Sequence, residues 1–281
     1  NTTISGVIAT TTGTLTKDGA GTLTLSNANT YTGATAANAG VLNIQNIQGT
    51  GTTAGGVTVA SGAALELQGG IAVGAEALNL SGTGISGNGA LRNIGGANTW
   101  GGAVTLGAGG AEIQSDAGTL TVSSVTGATQ NLTVDGAANT TISGIISTTT
   151  GTLTKNGAST LTLSGNNSFS GGLTINAGTV LGTTSANAFG TGTITLGDSA
   201  GGSNAATLLV GTTALTIANP IALAPTTTGT LSIGNSGAAI STTFSGGVTG
   251  TNNLTINSNA TTGTVTLSGL VNNTGTITNI G

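Results

Sequence analysis

Short runs of alternating apolar and polar residues recur along the whole chain. Residues 22–25 read TLTL, residues 57–59 read VTV and residues 193–196 read TITL. Period-two alternation predicts β-strands with one buried face, and β-branched Thr, Ile and Val suit a pleated surface. Gly, Asn or Ser follows nearly every run and predicts a turn, and no window has apolar residues at helical spacing. The pattern therefore predicts an all-β protein with no significant helix.

A long internal repeat lies over this short strand rhythm. Residues 1–40 align without a gap with residues 139–178, with 27 identical positions, so the chain divides into repeats 1–138 and 139–276. Long-period repetition of short strands is typical of a stacked array. Five aromatic residues are few for a β-sandwich of this length. We therefore expect residues 1–281 to form a single continuous, elongated β-solenoid (a β-helix) with Gly- and Asn-rich corners, and we keep a sandwich as the alternative.

Composition excludes several classes of function. The 281 residues include 52 Gly, only ten charged side chains and no His, Cys or Met. Disulfides and thiolate or imidazole chemistry are therefore absent, and three basic residues cannot neutralise a nucleic-acid backbone. No apolar run is long enough for a transmembrane helix. We expect no enzymatic activity, no cofactor, no metal site, no nucleic-acid partner and no membrane insertion of this segment.

One motif occurs in both repeats. Residues 14–33 read TLTKDGAGTLTLSNANTYTG and are followed by NAG at 38–40, and residues 152–171 read TLTKNGASTLTLSGNNSFSG and are followed by NAG at 176–178. Asp-Gly and Asn-Gly are strong tight-turn dipeptides. The motif predicts turns at Asp18-Gly19 and Asn156-Gly157.

Neighbouring residues of the motif are assigned by position. We expect Lys17 and Lys155, which precede the turns, to point to solvent. Tyr31 and Phe169 are equivalent and are expected to close a coil corner or pack on the next coil. The single Trp, Trp100, is assigned the same corner role, with stacking on a sugar ring as the alternative.

The motif resembles the autotransporter-associated β-strand repeat of large bacterial surface proteins, and residues 89–102 resemble spacers in such proteins. The resemblance implies a secreted, β-helical passenger, exported across a Gram-negative-type envelope and displayed at the outer cell surface. It implies no single activity. The first copy departs from the second where residues 35–37 read TAA instead of the LTI of 173–175, which predicts a weaker strand.

Two further patterns have residue types that could form a site. Glu112 and Asp116 are the acids closest in sequence, a pair that could serve a glycosidase or a calcium site; a few solvated charges that keep the protein soluble are favoured instead. Thr-x-Thr strings resemble the faces of some ice-binding proteins, but their uneven spacing disfavours one rank.

These features favour a structural role. We expect an extracellular bacterial surface or matrix protein, as in a biofilm, that forms a long rod or filament. The strand-like ends lack recognisable caps, which predicts end-to-end self-association or continuation into a longer chain of the same repeats. The alternative is an adhesin stalk or autotransporter passenger whose binding function lies elsewhere. A polysaccharide-processing β-helix is a minor third possibility.

Overall fold

The fold consists of short β-strands in two units, Asn1–Thr141 and Ile142–Gly281. A computed structural model describes residues 1–237, 239–258 and 262–281. The strands of the first unit are β1 (Thr2–Ile4), β2 (Leu15–Lys17), β3 (Thr22–Leu25), β4 (Thr35–Ala37), β5 (Gly40–Ile44), β6 (Val57–Val59), β7 (Ala63–Gln68), β8 (Ala72–Val73), β9 (Leu78–Gly82), β10 (Leu91–Gly95), β11 (Ala97–Trp100), β12 (Val104–Ser115), β13 (Thr119–Val122), β14 (Val125–Thr126) and β15 (Leu132–Asp135).

The next strand along the chain, β16 (Asn139–Ile142), spans the division between the two ranges. The remaining strands of the second unit are β17 (Ile146–Ser147), β18 (Leu153–Lys155), β19 (Thr160–Leu163), β20 (Leu173–Ile175), β21 (Gly178–Gly182), β22 (Ile194–Leu196), β23 (Ala206–Val210), β24 (Thr216–Ile217), β25 (Ile221–Leu223), β26 (Leu231–Asn235), β27 (Thr242–Phe244), β28 (Val248–Gly250), β29 (Leu254–Ser258), β30 (Val265–Leu267), β31 (Val271–Asn273) and β32 (Ile277–Asn279).

Strands of the first unit stack in parallel from one coil to the next. Leu23 pairs with Leu42, and Leu42 pairs with Leu65, so one coil takes 19 residues and the next takes 23. One ladder runs β2–β4–β6–β9–β12–β14, and a second runs β1–β3–β5–β7–β10–β12–β15. Because each strand pairs with its counterpart one coil later, this is a parallel β-solenoid.

The second unit repeats this arrangement. One ladder runs β18–β20–β22–β25–β28–β31, and another runs β19–β21–β23–β26–β29–β32. A third, shorter ladder joins β24, β27 and β30. Parallel pairing confirms the predicted solenoid and rules out the sandwich, whose hairpin-connected sheets pair antiparallel strands.

Aliphatic side chains fill the interior of each coil. Leu42, Ile44, Leu65 and Leu67 alternate with outward residues and are fully buried. In-register pairing of the strands places like residues of successive coils directly over one another, so each coil covers the apolar layer of its neighbour. The core is therefore a column of aliphatic layers that needs few aromatic residues.

The described residues contain almost no helix. The single short element is a 3-10 turn at Ile85–Gly87, and no helix in this part of the chain has the length and apolar character needed to cross a membrane. The segment predicted to be a weak strand forms β4, paired on both sides with β2 and β6. Continuity of one solenoid over residues 1–281 stays a prediction.

Candidate functional site

The corner after β2 is built around a buried lysine. Gly19 turns the chain with a φ of 75°, a value that favours glycine. Lys17 is only 6% exposed, and its Nζ donates to the carbonyl oxygens of Asp18 (3.0 Å), Gly19 (2.6 Å) and Ala39 (2.9 Å). Ala39 belongs to the following coil. The ammonium group therefore joins the carbonyls of two stacked corners.

The second copy of the motif builds the same corner. Gly157 has a φ of 68°, and Lys155 is fully buried with its Nζ donating to the carbonyl oxygens of Asn156 and Gly157. The prediction that Lys17 and Lys155 point to solvent is therefore wrong. A turn of tight glycine geometry directs several backbone carbonyls inward, and a lysine ammonium supplies the hydrogen-bond donors that they need.

The NAG segments of the motif complete these corners from the next coil. Asn38 Nδ2 donates to Asp18 Oδ1 at 3.0 Å, and Asn176 Nδ2 donates to Asn156 Oδ1 at 2.9 Å. A Cβ on Gly40 would lie 2.4 Å from the Gly19 carbonyl oxygen and 2.7 Å from the lysine Nζ. The distant parts of the motif are thus two stacked layers of one corner.

The two motif aromatics lie inside their coils. Tyr31 is 1% exposed and Phe169 is fully buried. Each ring is covered by a glycine of the next coil, Gly51 or Gly190, and a Cβ added to that glycine would meet the ring at 2.9 Å or 2.6 Å. These rings fill the corner and leave room only for glycine above them.

A buried polar network surrounds Tyr31 but not Phe169. The Tyr31 hydroxyl and Thr35 Oγ1 share a hydrogen bond of 2.7 Å, Thr35 Oγ1 donates to the Thr50 carbonyl (3.1 Å), and Thr50 Oγ1 donates to Glu76 Oε2 (2.6 Å). Glu76 is 1% exposed. Burial raises the pKa of Glu76 to about 7, although the Thr50 hydrogen bond acts to lower it.

Trp100 is fully buried, and its indole Nε1 donates to the Glu76 carbonyl oxygen at 3.0 Å. Its ring therefore has no face open to a sugar, which removes the stacking alternative. The indole instead holds the backbone of the preceding coil in place beside the polar network.

The acids considered as a catalytic pair are held in different interactions. Asp116 accepts from Arg92 Nε at 2.6 Å, and the same guanidinium reaches Glu66 at 3.3 Å. Glu112 is 7% exposed; burial, followed by the negative charge of Asp135, raises its pKa to about 7. The carboxylate that acts on Glu112 is thus Asp135. Among the described residues no cluster of three acidic side chains could hold a metal ion.

Threonines on the outer surface align better than their sequence spacing indicates. In the second unit Thr160, Thr179, Thr207 and Thr255 share one rank on successive coils with Ser232, which is only 8% exposed. The parallel register compensates for unequal coil lengths by placing extra residues in corners. The neighbouring outward rank contains Leu181, Leu209 and Gly234, so it does not extend this row into a flat hydroxyl face.

Sequence reasoning missed the buried lysines and the Glu76 network. The paired change from Tyr31 and Thr35 to Phe169 and Leu173 was the available signal, because both polar groups are lost together between the copies. The position of Glu76 gave no such signal, since it lies outside the aligned 40 residues.

Comparison with known families identifies the segments that contain these corners. Residues 15–44 and 153–181 match the family model described as Passenger-associated-transport-repeat. No curated protein and no solved structure matched the chain in these comparisons. The matched residues include both buried lysines, both tight turns and both NAG layers, and they confirm the resemblance drawn from the motif. Two segments of the chain are therefore similar to the passenger-associated-transport-repeat, and each folds as stacked corners of a parallel β-solenoid.

Proposed function

We propose that this chain is a structural segment of an extracellular bacterial surface or matrix protein and forms part of a long β-solenoid rod. The two repeats and the solenoid fit an autotransporter passenger domain. The observation that supports a structural role is the coil-to-coil backbone ladder, which joins successive strands in each unit. Such ladders suit load-bearing and display because each coil adds length without a new domain.

The surface supports a role outside the cell. Ten charged side chains in 281 residues leave few charges for salt to screen, and the absence of Cys and Met removes the sites of oxidation. Both lysines of the repeats are buried, so trypsin-like proteases meet few accessible cleavage sites. We assign no catalytic role to the chain, and that assignment stays a prediction.

We further propose that the last described coil is covered by additional coils. Ile277 is 48% exposed and Val271 is partly exposed, whereas Leu254 and Val248, their ladder partners one coil earlier, are 0% and 1% exposed. Either a second copy or more of the same chain would bury them and pair the open strand edge.

Electron microscopy and sedimentation of the purified chain test this proposal. Filaments much longer than one chain are expected, and Ile277→Lys should abolish them because a charge would enter the junction. Thr58→Lys adds the same charge at an exposed mid-strand position and should leave filaments intact. Single rods that stay monomeric at high concentration would refute self-association and favour the second candidate, a passenger or adhesin stalk whose binding function lies elsewhere.

A further inference from the structure

We propose that Glu76, Thr50, Thr35 and Tyr31 form a proton-operated lock on the corner loop of the first unit, residues 46–53. The lock is closed while the Glu76 carboxyl carries a proton and loosens when that proton is lost. It concerns the dynamics of one corner and is independent of the proposed structural role.

The lock connects successive coils through side chains that are almost completely buried. Tyr31 and Thr35 lie on one coil, Thr50 lies in the corner loop, and Glu76 lies on the next coil. All four residues are 1% exposed. The chain of hydrogen bonds ends at Glu76 Oε1, which is buried and has no hydrogen-bond partner among the described residues. A buried oxygen without a partner is costly when the carboxyl is ionised.

The second unit contains the same corner without the lock. Thr52 N donates to the Tyr31 carbonyl, and Thr191 N donates to the Phe169 carbonyl, so the two corner loops correspond residue by residue. Thr50 then corresponds to Phe189, which is fully buried. Tyr31, Thr35 and Thr50 are thus replaced together by Phe169, Leu173 and Phe189, an entirely apolar set.

Glu76 also has a defined counterpart in the second unit. Val57 N donates to the Ala77 carbonyl, and Ile194 N donates to the Pro220 carbonyl, which aligns Glu76 with Asn219. The Asn219 amide nitrogen donates to the carbonyls of Gly190 and Gly192 at 3.1 and 2.7 Å. An ionised carboxylate has no hydrogen to donate in this way, whereas a protonated carboxyl has one.

The electrostatic surroundings favour the protonated form. Burial is the main cause that raises the pKa of Glu76 to about 7, and no neighbouring charge contributes to this rise. The titratable group that faces Glu76 is Tyr31; burial also raises the pKa of its hydroxyl, which stays neutral over the same range. Of the four residues in the lock, only Glu76 therefore changes its charge between acidic and neutral pH.

The direction of the effect follows from the two pKa values of Glu76. The ordinary value of 4.5 applies when the loop is open, and the value of about 7 applies when it is closed. Opening therefore releases a proton between these values, and the opening equilibrium rises up to about tenfold per pH unit across that window before levelling off. Ile47 and Thr52 of this loop also line a surface depression together with Ala72. Opening of the loop would change the shape of that depression.

Hydrogen exchange of matched backbone amides tests the lock within one molecule. The amides of Gly49, Gly51 and Thr52 report on the locked corner, and the amides of Ala188, Gly190 and Thr191 make the equivalent bonds in the second unit. After correction for intrinsic exchange, protection of the first set should fall with rising pH by up to about tenfold per unit between about pH 4.5 and 7. Protection of the second set should stay constant.

Two variants separate the lock from a general effect of pH. Glu76→Gln should remove the pH dependence of protection at the Gly49, Gly51 and Thr52 amides. Thr50→Val should shift the fall in their protection to higher pH, because a hydrogen bond that lowers the pKa of Glu76 is lost. Equal pH dependence at both corners, or a slope that persists in Glu76→Gln, would overturn the proposal. Restoration of protection at about pH 8 by calcium chloride, in the wild type but not in Glu76→Gln, would also overturn it by identifying a cation site.

Discussion

Replacement of Lys17 by methionine tests the stacked corner most sharply. Methionine keeps most of the buried aliphatic length but removes the ammonium group and its three hydrogen bonds to backbone carbonyls. Each carbonyl left without a partner costs about 1–3 kcal/mol. The gain from no longer burying a charge offsets several kcal/mol of that loss. We expect a net local destabilisation of about 2–4 kcal/mol.

Native-state hydrogen exchange measures this local loss directly. The amides of Asn38 and Ala39 both donate to the Lys17 carbonyl and report on the corner. A loss of about 2–4 kcal/mol lowers their protection about 30- to 1000-fold, since every 1.4 kcal/mol is a factor of ten. Local exchange is preferable to a single unfolding curve because repeat arrays unfold in several steps.

A matched control is available at the adjacent position. Asp18→Asn copies the second repeat, in which Asn156 accepts the equivalent hydrogen bond from Asn176, so it should leave exchange at the corner nearly unchanged. If Lys17→Met is as mild as Asp18→Asn, the lysine does not join the two layers, and the interpretation of this repeat corner is refuted.

Three further predictions concern other parts of the two units. Gly40→Ala should lower the free energy of unfolding by more than about 2–3 kcal/mol, because the added Cβ would meet two carbonyl oxygens at 2.4 Å. In the control variant Gly19→Ala the added Cβ meets no atom, so the cost should be only about 1 kcal/mol for the positive φ. Urea unfolding of both variants measures the difference, and equal costs would contradict the stacking. Burial raises the pKa of Glu112 from 4.5 to about 7, so the stability that its protonated carboxyl supports is present below pH 4.5 and is lost as pH rises to about 7. Glu112→Gln should therefore reduce the decline of the unfolding free energy between about pH 4.5 and 8. An unchanged decline would argue against a buried neutral carboxyl. Asn167→Ala should destabilise the second unit by about 2–4 kcal/mol, because the Asn167 side chain accepts from the Ile146 amide at 2.7 Å and donates to the Ala188 carbonyl at 2.6 Å. A loss below about 0.5 kcal/mol in thermal unfolding would show that water replaces these hydrogen bonds.

The sequence predicted the architecture because the relevant signals are local. Alternation in runs such as 22–25 determines which side chains face the core, and Asp18-Gly19 carries its turn chemistry in two residues. Lys17 was misplaced because its carbonyl partners arise only when one coil stacks on another. Residue 39 reaches Lys17 through the register, a relation that no local pattern encodes.

Glu76 was beyond sequence reasoning for a related reason. Its partner Thr50 lies 26 residues away in an irregular corner, and coils of unequal length hide such pairings. The aromatic corner positions were easier to identify, because Tyr31 and Phe169 fall at the same place in two copies of the motif. Comparison of copies therefore locates a corner, while the partners of a buried polar group require the register.

Residues one coil apart are neighbours in a parallel ladder, and electron paramagnetic resonance measures this directly in the second unit. Spin labels at Thr174 and Thr195, which pair on adjacent coils, should lie one strand spacing apart, about 4.8 Å between Cα atoms. Labels at Thr154 and Thr249, four pairings apart in the same rank, should be separated by about 19 Å between Cα atoms. We predict strong dipolar broadening for the first pair. For the second pair we predict a single distance of about 20 Å, with a deviation no larger than the length of the spin-label side chains allows. No broadening for the first pair, or a second distance that does not scale with the number of coils, would contradict the parallel solenoid.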